Sequence, residues 1–108
     1  MDTPTLADVN IRGVAQRLIE KRLRRNSENL KQLQTELTLL EEQLVALSDD
    51  ANEKEMRSLV SETPLALHEY RDAQKHVEVL VEHRGFLIRA IDEQTKNQDE
   101  LLDRLGKN

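Results

Sequence analysis

The sequence predicts an all-α fold, a long antiparallel helical hairpin of coiled-coil type with a short helical or irregular segment at its bend. Three observations predict it. Leu30, Leu33, Leu37, Leu40, Leu44 and Leu47 recur in alternating steps of three and four, the spacing that keeps one apolar seam facing a partner helix. A second seam with the same rhythm runs Ala66, Tyr70, Ala73, Val77, Leu80, Arg84, Leu87, Ile91, Gln94, Gln98, Leu101 and Leu105. The 108 residues are 34% charged and 2% aromatic, a composition that suits amphipathic helices better than a thick globular core.

The first helix is expected over about residues 5–47. Two caps compete for its start, Thr3 with Pro4 at the first helical position, or Thr5 followed by Asp8. Carried backwards, the leucine register places Leu23 and Ile19 on the seam, with Asn26 and Gln16 as polar interruptions. Ser48-Asp49-Asp50 then breaks the apolar pattern and offers a fresh cap, so residues 48–63 are expected to form a separate bend segment. Met56, Leu59 and Val60 have helical spacing and would give it one or two turns. The second helix is expected over about 64–105, because Thr63 can cap while Pro64 at the first turn loses only an amide that would have been orphaned. Gly106 marks its end.

The simplest pairing sets Leu44 beside Tyr70, Leu37 beside Val77, Leu30 beside Arg84 and Leu23 beside Ile91. Polar residues at seam positions weaken packing but fix register, which gives Asn26, Arg84, Gln94 and Gln98 a structural reading. Arg84 would pack its stem in the seam and carry its guanidinium to water or to a carboxylate. Gly85 falls near the level of Asn26 in this pairing, and a glycine inside a helix costs roughly 1 kcal/mol relative to alanine. A break of both helices at that height, giving four shorter ones, is the structural alternative.

An isolated two-stranded coil flanks its seam with Glu and Lys. Here the flanks of the second helix include Val81, Ile88 and Leu102, and near the start Ile11, Val14, Ala15 and Leu18 also widen the apolar face. A wide face is what a bundle of three or four helices buries. Two hairpins are therefore expected to associate into a four-helix bundle, with Val81, Ile88 and Leu102 as the outer interface. Charge adds a direction. Residues 1–26 hold six basic residues against three acidic ones, whereas residues 41–62 hold seven acidic residues against two basic ones. A head-to-tail dimer would bring unlike ends together, and such pairing weakens with salt.

Other functional classes find less support. Lys21, Arg24 and Arg25 belong to a basic run that could touch phosphates, but the chain carries a net charge of −5 and offers no aromatic stacking platform. Nucleic acid is thus a disfavoured partner. His68, Asp72 and His76 recur every four residues without an obvious fourth ligand, and Asp49, Asp50, Asn52 and Glu53 lack the glycine turn of a calcium loop. No metal or cofactor is expected, and no local motif assigns catalytic roles. There is no cysteine, no signal-like start and no run near the roughly 20 apolar residues of a membrane span, which points to a soluble, cytoplasmic chain.

The reading that follows is a non-enzymatic coiled-coil interaction or scaffold module that forms a homodimer or meets another protein. Its competitor is a regulator docking one charged end, Asp49, Asp50 and Glu53 at the bend or Lys21, Arg24 and Arg25 at the open end, on a larger complex such as transcription or nucleic-acid machinery.

Overall fold

A computed structural model describes residues 6–106, and the architecture is an antiparallel helical hairpin. Helix α1 spans Leu6–Ser61 and helix α2 spans Pro64–Gly106, with only Glu62 and Thr63 between them. Thr3, Pro4 and Thr5, the competing caps of α1, lie outside the described residues.

The turn is built from two complementary caps. Glu62 adopts a left-handed backbone with φ of 50°, and its amide donates to the Ser58 carbonyl at 3.1 Å, closing the end of α1. Thr63 then starts α2: its Oγ1 accepts from the Ala66 amide at 3.2 Å and its carbonyl accepts from the Leu67 amide at 3.2 Å. Pro64 occupies the first helical position, where a missing N–H costs nothing.

The separate bend segment expected over 48–63 is therefore corrected. Residues 48–61 continue α1, and Ser48-Asp49-Asp50 does not cap a new helix. The reason is packing. The seam continues past Leu47 through Ala51, which is buried, and the half-buried Lys54 and Ser58. Asp50 also pairs with Lys54 one turn on, at 3.0 Å. The helix-propensity deficit of Ser and Asp is only about 0.5 kcal/mol per residue, small beside the cost of stopping and renucleating a helix.

The short turn also corrects the register. Arg84 meets Glu41 rather than standing opposite Leu30, because a two-residue connection draws α2 back along α1. Neither helix breaks at Asn26 or Gly85.

The chain packs as two compact units through which both helices run, and each has its own core. The bend-end unit comprises Gln34–Ala90. It buries Leu40 and Leu87, the latter 1% exposed, together with three small residues, Ala51, Ala66 and Ala73. Arg84 Nε donates to Glu41 Oε1 at 3.2 Å with both side chains about half exposed, the snorkelling arrangement expected from sequence. The open-end unit comprises the described residues up to Leu33 and from Ile91 onward. It buries Ile19, Leu30 and the polar Asn26, which is 6% exposed. Asn26 Nδ2 donates to the backbone carbonyl of Gln94 at 2.9 Å, tying α1 to α2 through the main chain. Among the described residues no buried side-chain nitrogen or oxygen lacks a partner.

Candidate interaction surfaces

The seam leaves several apolar side chains in water. In the bend-end unit, Leu67, Val81 and Ile88 share the flanking line of α2 that lies one residue beyond its Ala66–Ala73–Leu80–Leu87 row, and all three are exposed. Val81 is 52% exposed and Ile88 41%, one heptad apart on the same edge. These are positions where a solvated two-stranded coil carries charge. A second apolar group surrounds the turn: Met56, Leu59, Val60 and Leu65 are all exposed, and Val60 reaches 83%. The helical spacing of the first three predicts a bend segment and assigns them no surface. Their offset from the continuing Leu47–Ala51–Lys54–Ser58 seam is the signal that marks them as outward facing.

In the open-end unit, Ile11, Val14, Ala15 and Leu18 line a shallow, wholly apolar depression of about 390 Å³. Their spacing covers one helical face, but that face is not the one carrying Ile19, Leu23 and Asn26. Leu102, the third residue expected at the outer interface, belongs to this unit and is 51% exposed.

The charged candidates separate. Arg25 lines a polar cleft of about 290 Å³ between α1 and α2, together with Arg22, Asn29, Asn97, Glu100 and Arg104. Asn26 and Gln94, whose hydrogen bond bridges the helices, form its floor. Lys21 and Arg24 are exposed and do not line this cleft. Arg104 was invisible to sequence reasoning because the wrong register hides which residues of α2 stand beside Arg22 and Arg25. Asp49, Asp50 and Glu53 sit along the continuous length of α1 rather than at the turn, and Asp50 is engaged by Lys54.

The histidines are on the surface as well. His68 Nε2 lies 3.2 Å from Asp72, and His83 Nε2 lies 3.6 Å from Glu36. Both members of each pair are at least 45% exposed, where an ion pair contributes about 0–1 kcal/mol at most. No group of three or more side chains able to hold a metal converges among the described residues. No helix of the described residues is long and apolar enough to cross a membrane.

No protein-family model matches the chain, and no match to a curated protein or a solved structure was found.

Proposed function

We propose that this chain is a non-enzymatic helical-hairpin module that self-associates, favouring a homodimer, and serves as a protein-interaction scaffold. The observation carrying the reading is the exposed edge of Val81 and Ile88 on α2, at positions that a hairpin working alone would fill with charge. Burying such an edge removes apolar surface from water at about 25 cal/mol per Å², a non-directional gain that a second helix can supply. Leu102, half exposed on α2 in the open-end unit, offers a further apolar contact. The place of action proposed is the cytoplasm, supported by a cysteine-free fold that uses no disulfide.

The contrast in charge between residues 1–26 and residues 41–62 supports an arrangement that places unlike segments of two copies together. The test is solution mass by light scattering at low and high salt. The native chain is expected to run as a dimer whose population falls as salt rises. The double substitution Val81→Glu and Ile88→Glu is expected to yield monomers with helicity retained in circular dichroism. A native monomer, or a dimer indifferent to both glutamates, sinks the reading.

A further inference from the structure

The polar cleft of the open-end unit carries an inference independent of self-association. Three arginines line it from two helices, Arg22 and Arg25 from α1 and Arg104 from α2, with one carboxylate residue, Glu100, among the lining. Three arginines against one glutamate give the cleft lining a formal surplus of two positive charges. Among the described residues none of the three arginines forms an ion pair. The remaining walls are the amide side chains of Asn29 and Asn97, which can donate to oxygen without adding charge, and the apolar side chain of Leu101.

The geometry points to an anion site for a small phosphate monoester. A phosphate ester carries about −1.5 to −2 charges at neutral pH and presents three acceptor oxygens, which matches the surplus of two positive charges. Planar guanidinium forks are suited to bidentate hydrogen bonds with phosphate, and the amides complete the donor set. Size narrows the ligand further: ligand pockets usually run from about 300 Å³ upward, so a cleft of about 290 Å³ suits a phosphoryl group with a short substituent better than a whole nucleotide. The floor is rigidly positioned, because Asn26 is buried and bonded across the helices to Gln94. Glu100 opposes the anion and limits affinity.

The site is tested by titrating isotope-labelled protein with glycerol phosphate, followed by amide and guanidinium resonances, with sulfate at matched ionic strength as a charge control. Saturable shifts centred on Asn29, Asn97 and the three arginines are expected, with a dissociation constant of about 1 mM for so open a site. Arg22→Gln with Arg104→Gln should weaken binding about tenfold or more, since hydrogen bonds to charged groups are lost. Arg12→Gln with Arg17→Gln, exposed arginines outside the cleft, should leave it unchanged. Glu100→Gln should tighten binding several-fold. These side chains are exposed, so circular dichroism is expected to be the same for every variant. Linear shifts without saturation, sulfate binding as tightly as the ester, equal losses in the two arginine pairs, or weaker binding in Glu100→Gln each overturn the assignment.

Discussion

The two units use one heptad rhythm to different ends. The residues that the bend-end unit buries are leucines and alanines, and its interhelical pairs of Arg84 with Glu41 and His83 with Glu36 lie outside the core in water. The open-end unit buries an asparagine and spends a seam position on a hydrogen bond to the Gln94 carbonyl. An aliphatic seam gives binding strength but tolerates sliding, since one leucine layer resembles the next. A buried amide must meet an acceptor, so alignments that set it against aliphatic side chains leave it unsatisfied and are disfavoured. The contrast teaches a division of labour: stability from the bend end, alignment from the open end.

The largest effect expected is from Leu87→Ala. Leu87 is the most fully buried side chain among the described residues, and truncating a buried leucine costs about 2–5 kcal/mol. Denaturant unfolding should show a loss in that range, larger than Ile19→Ala in the open-end unit. Equal losses at the two sites would break the division. Asn26→Ala sharpens it from the other side. Removing the amide orphans no buried donor, so the stability loss should stay near about 1 kcal/mol. Paired labels across the helices should nevertheless show a broadened distance distribution in the open-end unit. An unchanged, narrow distribution would remove the aligning role of Asn26.

The smallest effect expected is a gain. A methyl group at Gly85 would meet only the Arg89 guanidinium, at 3.3 Å, the far end of a side chain free to move. Gly85→Ala should therefore stabilise the bend-end unit by up to about 1 kcal/mol and raise the melting temperature. Gly13→Ala, in the open-end unit with its nearest contact at 3.7 Å, should raise local helicity with less effect on global unfolding.

Much of this fold is legible from residue spacing alone. The leucines from Leu30 to Leu47 and the row from Ala66 to Leu105 that the heptad assigns to the seam are buried or half-buried, except Arg84, which reaches Glu41. What spacing conceals is where the helices stop. Ser48-Asp49-Asp50 carries every local mark of a cap, yet Ala51, Lys54 and Ser58 hold the next seam positions, and packing decides against the local preference. That one error propagates, because the length of the bend sets the register and the register decides which α2 residues face the basic run. The place of Arg104 follows from the turn and the register it sets, whereas the exposure of Met56, Leu59 and Val60 follows once the heptad is carried past Leu47.

The two-residue connection through Glu62 and Thr63 also orders the folding reaction. Closing so short a loop has a small entropic cost, and contacts beside it join residues close in sequence, so the first turns can pair as soon as they form. The Asn26–Gln94 bond joins positions 68 residues apart and becomes cheap to close only after the intervening turns have zipped together. Amide hydrogens should exchange slowest around Leu87 and progressively faster toward Ile19 and Leu105. A hairpin of this kind reads its alignment last, when Asn26 finds its carbonyl, so any slip made during zipping is checked at the end of the reaction.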